Sequence, residues 1–213
     1  MTSNTPTQAS ASASAQSQVT TSMLRAIAEE DTASIRALIE SGENINMRVG
    51  LGFTALQKAV YIGKLESAQT LLDLGADPDL AGGPAQVTAL HNAAKKSNVD
   101  MTNLLLRYRA DVKIKDDDGA TPLHAAAAAG AVEVAKLLVQ AGADIVARNN
   151  LGETPRDVAA KEAANAKAAE YLQQTEIAHG LNPELETLRR ATVAQDMAAL
   201  KSRLPIGGFR LKR

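Results

Sequence analysis

The stretch DDDGATPLHAAAAAGAVEVAKLLVQAGADIVAR, residues 116–148, decides the fold of this chain. Thr121 and Pro122 are typical of a helix start, because threonine caps a free N–H group and proline lacks one. Gly130 is typical of a turn, and Gly142 of a left-handed helix end. Apolar residues fall at helical spacing in two stripes: Leu123, Ala126 and Ala127, then Val134, Leu137 and Leu138. The stretch therefore predicts two short helices joined by a turn and followed by a loop.

This pattern recurs along the chain at a fixed period, which is the signature of a repeat protein. Five threonines mark equivalent positions at steps of 33, 34, 33 and 33 residues: Thr21, Thr54, Thr88, Thr121 and Thr154. Gly42, Gly75 and Gly142 stand 21 residues after their threonines, whereas Arg109 and Thr175 replace glycine in the other two repeats. The spacing predicts first helices at 22–29, 55–62, 89–96, 122–129 and 155–162. It predicts second helices at 32–41, 65–74, 99–108, 132–141 and 165–174.

The domain boundaries follow from the same register. We expect a repeat domain at 20–207, with repeats near 20–48, 49–81, 82–115, 116–148 and 149–182 and a more polar, degenerate cap at 183–207. Residues 1–19, rich in Ser, Ala, Thr and Gln without an apolar period, are predicted to form a disordered tail. Residues 208–213 form a short basic tail.

The fourth repeat resembles an ankyrin repeat, because residues 121–126 satisfy the T-P-L-H-x-A motif of that family at its period of about 33 residues. His91 keeps the motif histidine in the third repeat, whereas Gln57 and Asp157 replace it in the second and fifth. The first repeat, Thr21–Ser22–Met23–Leu24, matches most loosely. The resemblance covers about residues 20–206. It implies an all-α solenoid of stacked helix-turn-helix repeats with connecting hairpin loops, which binds a partner protein through a concave face.

Composition excludes several classes of function. Without cysteine, the chain has no disulfide, no thiolate nucleophile and no cysteine metal site. Its net charge of −1 gives no general attraction for nucleic acid or anionic membranes. No apolar run approaches the roughly 18 residues of a membrane span, and no basic-then-apolar signal opens the sequence. We expect a cytoplasmic monomer; a removed or atypical signal would instead place it in the periplasm or outside the cell.

The candidate chemical groups are better explained as structural. His91 and His124 are candidate metal ligands or bases, but the motif histidine of the resembled family can tie its threonine to the neighbouring hairpin. Residues 116–119, DDDG, lack the alternating ligands and the later glutamate of a calcium loop. We predict no catalytic residue, no metal and no cofactor. The alternative is an enzyme or ligand-binding protein with a site on the concave face around His91 and His124.

The resemblance places partner-binding residues at the second, third, fifth, thirteenth and fourteenth positions, counting the motif threonine as sixth. In the second repeat they are mostly apolar: Gly50, Leu51, Phe53, Tyr61 and Ile62. Adjacent exposed apolar and aromatic groups are typical of a binding surface. The later repeats contribute Gln86, Lys95, Lys96, Asp117, Asp118, Ala128, Ala129, Leu151 and Lys161. Cover of the apolar group by the N-terminal tail is the alternative to partner binding.

The sequence leaves the biological role open. A small alanine-rich stack with a polar tail resembles bacterial ankyrin proteins, which include host-directed effectors, periplasmic accessory proteins and toxin-neutralising proteins. A eukaryotic adaptor remains a second class. A purely structural spacer would have a polar concave face, which the apolar positions of the second repeat disfavour.

Overall fold

The computed structural model describes the backbone of residues 8–181 and the side chains of residues 16–181. The chain divides into two units, Met1–Leu172 and Gln173–Arg213. The expected cap at 183–207 and basic tail at 208–213 lie outside the described residues, as do residues 1–7. Among residues 8–181, no helix combines the length and the apolarity needed to cross a bilayer.

Paired helices make up most of the described chain and confirm the predicted all-α stack. The helices are α1 (Gln8–Glu29), α2 (Thr32–Glu40), α3 (Ala55–Ile62), α4 (Leu65–Asp73), α5 (Ala89–Lys95), α6 (Val99–Arg107), α7 (Pro122–Ala128), α8 (Val132–Gln140), α9 (Pro155–Ala160) and α10 (Ala166–Ala178), with a short 3₁₀ helix at Ala163–Asn165. In the first unit, α1, α3, α5, α7 and α9 pack side by side as one layer. Helices α2, α4, α6 and α8 form the second layer.

The core repeats with the same period as the sequence. The motif leucines Leu56, Leu90 and Leu123 are at most 1% exposed, and the helices that carry them pack against helices of their own and of neighbouring repeats. Leu105 and Leu138 fill the equivalent position in the second layer and are fully buried. Since the first helices carry alanine at most of their contact positions, their backbones pack closely, and large aromatic side chains are not needed.

Short antiparallel pairings precede two of the first helices. Strand β1 (Arg48–Val49) pairs with β2 (Phe53–Thr54), and Gly82 forms an isolated bridge with Val87 one repeat later. The extra residue of the 34-residue step between Thr54 and Thr88 falls in this second hairpin, between Gly82 and Val87. Residues of the later hairpin loops form one wall of a groove.

Helix α1 differs from expectation in two respects. It includes residues 8–19, which were predicted to be disordered, and it passes through Thr21, which was predicted to precede a helix. The Thr21 hydroxyl donates to the Ser17 carbonyl at 2.9 Å, a bond made within a helix. Alanine favours helix strongly, and extending an existing helix is easier than starting one, so the packed turns near Ile27 can propagate toward the N-terminus.

Two of the second helices lack the glycine that marks the helix end in the other repeats, and their ends differ. Arg109 adopts the left-handed conformation with φ +60°, as Gly75 does with φ +92°, so this turn forms without glycine. Helix α10 continues through Thr175 to Ala178, where the register had predicted an end at 174. Neither a glycine nor a proline interrupts that helix before Gly180.

Candidate partner-binding groove

Buried side chains at the motif-histidine position connect each repeat to the next. The Nδ1 atom of His91 lies 3.2 Å from the backbone nitrogen of Thr88 and accepts its hydrogen bond. The Nε2 atom of the same ring lies 3.0 Å from the Ala120 carbonyl and donates to it. His124 makes the equivalent bond to the Glu153 carbonyl, also at 3.0 Å. These contacts confirm that the motif histidines link hairpins.

Gln57 performs the same task in the second repeat. Its Oε1 atom accepts from the Thr54 backbone nitrogen at 2.8 Å, and its Nε2 atom donates to the Val87 carbonyl. Val87, like Ala120 and Glu153 in later repeats, immediately precedes a motif threonine. A glutamine therefore satisfies the geometry that histidine satisfies elsewhere, and this geometry requires no ionisation.

The two imidazoles have no free nitrogen for chemistry. Burial lowers the pKa of His91 and of His124 below the ordinary histidine value, so both rings are neutral near pH 7. One ring nitrogen accepts a hydrogen bond and the other donates one in each case. A metal ion or a transferred proton would have to displace a structural bond.

A groove of about 920 Å³ lies between the first helices and the hairpin loops of repeats two to five, within the first unit. Eight of the predicted binding residues line it: Phe53, Tyr61, Lys95, Asp118, Ala128, Ala129, Leu151 and Lys161. The other five are exposed but do not line the groove: Leu51, Ile62, Gln86, Lys96 and Asp117. The register thus brings most of the predicted residues to one concave feature.

The second-repeat end of the groove is aromatic and basic. The rings of Phe53 and Tyr61 stack with centroids 6.2 Å apart and planes 22° from parallel. The ammonium of Lys96 lies 4.5 Å from the Tyr61 ring centroid, and that of Lys58 lies 5.9 Å from it. Both distances allow cation–π attraction.

Phe53 is less exposed than the register predicted. Its ring packs so closely on Gly83 of the next hairpin that a Cβ atom there would overlap it. Phe53 is therefore half-buried, whereas Tyr61 is 47% exposed and Leu51 is 83% exposed. The described part of the chain does not cover these two side chains.

The hairpin side of the groove is acidic but internally bonded. The Asp116 carboxylate accepts from the backbone nitrogens of Asp118 at 3.0 Å and Ala120 at 2.8 Å, which fixes the turn. Asn150 of the next hairpin donates to the Asp117 carbonyl at 2.9 Å. Within the described residues, no group of three His, Asp or Glu side chains is placed to hold a metal ion.

The fifth-repeat end combines an ion pair with an exposed leucine. Lys161 lies 2.7 Å from Glu153, and the hydrogen bond from Lys161 lowers the pKa of that carboxyl group. Leu151 is 77% exposed. Because Lys161 already has an anionic partner, its charge is less available to a ligand than the charge of Lys95, which makes no ion pair within residues 16–181.

Sequence reasoning missed the residues at the centre of the groove. Asn92, Ala125 and Val158 occupy the position directly after the motif histidine in three successive repeats, and all three line the groove. The signal was present, since this is the variable x of T-P-L-H-x-A. The position after the motif histidine is not among the five repeat positions that were predicted to bind a partner.

Models of ankyrin repeats match most of the repeat region. One, for three copies, matches residues 90–184, and another, for many copies, matches residues 23–72 and 63–106. Similar proteins include the BTB/POZ domain and ankyrin repeat-containing protein BOP of Lupinus luteus, 35% identical over 118 residues, which are 55% of this chain and 24% of that protein.

Two further relatives are also plant proteins. The BTB/POZ domain and ankyrin repeat-containing protein COCH of Pisum sativum is 36% identical over 101 residues, which are 47% of this chain and 20% of that protein. The regulatory protein NPR6 of Arabidopsis thaliana is 37% identical over 101 residues, which are 47% of this chain and 21% of that protein. The chain thus spans less than a quarter of the length of each of these three relatives.

Proposed function

Because this chain belongs to the ankyrin repeat family, whose repeats are protein-interaction modules, we propose that it is a non-enzymatic protein that binds a segment of a partner in its groove. The observation that carries the proposal is the groove of about 920 Å³, bordered at its two ends by exposed Tyr61 and Leu151. Its volume lies in the range of known ligand sites, and it is open enough for a peptide chain.

The groove needs little reorganisation to bind. Helices form one wall and bonded hairpins form the other, so an incoming segment meets a surface that is already ordered. Binding then loses less conformational entropy than it would on a flexible loop, which favours affinity without a catalytic group.

The enzymatic alternative has weaker support. It depends on His91 and His124, whose ring nitrogens all make hydrogen bonds inside the stack. The bacterial roles, which rested on a resemblance to small alanine-rich ankyrin proteins, gain no support from the relatives reported above, which are plant proteins. Because this chain matches only a small part of each relative, we infer the kind of partner from the groove and not from the relatives.

The first test compares affinity capture by the full chain and by a Tyr61→Ala/Leu151→Ala double variant. We expect partner affinity to fall by about 2 kcal/mol, roughly 30-fold, because two exposed apolar anchors are removed. Tyr61 is 47% exposed and Leu151 is 77% exposed, and neither belongs to the buried core, so the variant should keep the helical circular dichroism and nearly the unfolding midpoint of the parent.

A Leu65→Ala/Val146→Ala double variant is the matched control, since these residues are 38% and 40% exposed and lie outside the groove lining. A bound protein depleted by the groove variant but retained by the control supports the proposal. Equal retention of every bound protein by both folded variants would refute it.

A further inference from the structure

One buried amide in the groove lacks a hydrogen-bond partner. Asn92 is 6% exposed, and its Nδ2 atom meets no acceptor among the described residues. Leaving a buried donor unsatisfied destabilises a fold by about 1–3 kcal/mol. The equivalent residues Ala125 and Val158 show that the position accepts apolar side chains. The asparagine is therefore not required by the packing of the stack.

The position of Asn92 makes a groove-bound acceptor the natural partner for this amide. The side chain lines the groove, and rotation about its Cβ–Cγ bond has a shallow energy profile. A ligand that placed an oxygen there would remove the unsatisfied donor. The hydrogen bond would therefore strengthen binding. When the groove is empty, the unsatisfied amide of Asn92 instead lowers the stability of the folded chain.

The charges beside Asn92 select an anionic acceptor. Lys95 lies one helical turn further along α5, lines the groove, and makes no ion pair within residues 16–181. Lys96 and Lys58 approach the Tyr61 ring and likewise have no carboxylate partner in that part of the chain. An ammonium group without an anionic partner, on the same helix and in the same groove as the unsatisfied donor, favours a carboxylate over a neutral carbonyl.

We propose, on the basis of the function proposed above, that the groove binds a partner segment with an Asp or Glu side chain beside an apolar residue. The carboxylate accepts the hydrogen bond of Asn92 and lies next to Lys95. The neighbouring apolar side chain rests on the shallow floor formed by Ala125 and Ala128.

The opposite wall restricts the orientation of such a segment. Asp116 and Asp118 line the hairpin side, so a segment that is acidic on both edges would be repelled there. The acidic side chain must point toward helix α5. A neutral or basic side chain is expected on the other edge.

The test uses random 12-residue peptides displayed inside a loop of a carrier protein, so that no probe has a free C-terminus. The full chain is the target of selection. We expect the selected peptides to share an Asp or Glu next to an aliphatic or aromatic residue. Peptides that bind the groove without enrichment of an acidic residue would overturn this inference while leaving the proposed function intact. A selection with no groove-dependent peptide would count against both.

The best peptide is then measured against variants. Asn92→Ala should lower its affinity about tenfold, the size of a lost hydrogen bond to a charged group, and should keep or raise the unfolding midpoint. Lys95→Gln should also weaken binding and should reduce its salt dependence. Replacing the peptide Glu by Gln should weaken binding to the parent but should have little further effect on Asn92→Ala.

Matched controls are Asn103→Ala and Lys113→Gln, which change exposed residues outside the groove lining. Both should bind the peptide as the parent does. If Asn92→Ala folds and binds with unchanged affinity, or if the peptide Gln form binds as well as the Glu form, the inference is wrong.

Discussion

Two buried histidines give the first unit a defined response to acid. Burial lowers the pKa of His91 and His124 in the folded chain, so the unfolded chain binds more protons between the folded and unfolded pKa values. The stability contributed by the neutral rings is complete above their unfolded pKa of about 6.5. It decreases as the pH falls below that value, until the folded rings also become protonated.

A His91→Gln/His124→Gln variant should be less sensitive to acid. Gln57 already makes the corresponding bonds in the second repeat, so glutamine should preserve the links between hairpins. Urea denaturation at pH 7 and pH 5 measures the effect, since most carboxyl groups titrate below this range. The parent should lose more free energy of unfolding between the two pH values than the variant. Equal losses would contradict the assignment.

Two left-handed residues offer a way to stabilise the chain. Ser97 and Arg109 have φ values of +54° and +60° and are exposed at the ends of α5 and α6. Glycine adopts this conformation without steric strain, so each change to glycine should raise stability by about 0.5–1 kcal/mol. Thermal and urea denaturation check the result. Ala141→Gly is the control, because its φ of −78° is ordinary and glycine there should destabilise.

Individual binding residues were only partly predictable from the sequence. Tyr61 and Leu151 follow from the register, because a fixed period fixes which side of a helix or hairpin faces the groove. Phe53 was expected to be exposed, but a glycine in the next repeat allows its ring to become half-buried. The unsatisfied amide of Asn92 depends on which atoms surround it, which no single-sequence pattern specifies.

At the scale of the secondary-structure elements, neighbouring hairpins depend on close backbone contact. Gly119 has φ +70°, and a Cβ atom there would overlap the Asn150 side chain that bonds the Asp117 carbonyl. Gly152 has a similar φ of +76°, but a Cβ atom would meet nothing within 4 Å. Both glycines thus adopt a positive φ, but only Gly119 lies against a side chain of the next hairpin.

Comparing Gly119→Ala with Gly152→Ala isolates the contact between hairpins. Both changes introduce strain at positive φ, but only the first displaces Asn150. Gly119→Ala should therefore destabilise by about 1–3 kcal/mol more than Gly152→Ala, as measured by urea denaturation. Equal destabilisation would mean that the Asn150 contact does not contribute.

The helices were predictable because each repeat contains its own start and stop signals. Threonine followed by an apolar stripe located α3, α5, α7 and α9 to within two residues at either end. The N-terminal part of helix α1 was not predictable, because residues 8–19 lack an apolar period. These residues are helical because the packed turns near Ile27 extend toward the N-terminus. The continuation of α10 through Thr175 reflects a missing stop signal.

At the scale of the whole molecule, repeats in the first unit are stabilised mainly by their neighbours. Leu123 is fully buried where α7 packs on α5 and α9. Leu123→Ala should therefore cost about 2–5 kcal/mol, because the cavity lies where neighbouring repeats meet. Denaturant titration checks this value. Leu65→Ala, at a partly exposed site, should cost far less, and a similar loss for both variants would contradict a shared core.

The hydrogen bonds from Gln57, His91 and His124 all end on the residue before the next motif threonine, although the first spans 30 residues and the others span 29. The hairpin before Thr88 accommodates the extra residue, and the acceptor is still the carbonyl directly before the threonine. Copying residues 121–153 in tandem would therefore give each copy of His124 its own Glu153 carbonyl, and the one new junction would again place that glutamate before a motif threonine. We expect evolution to lengthen or shorten the groove of this chain by whole repeats, since a cut that removed a hairpin but kept the preceding helix would leave a motif side chain without its carbonyl acceptor.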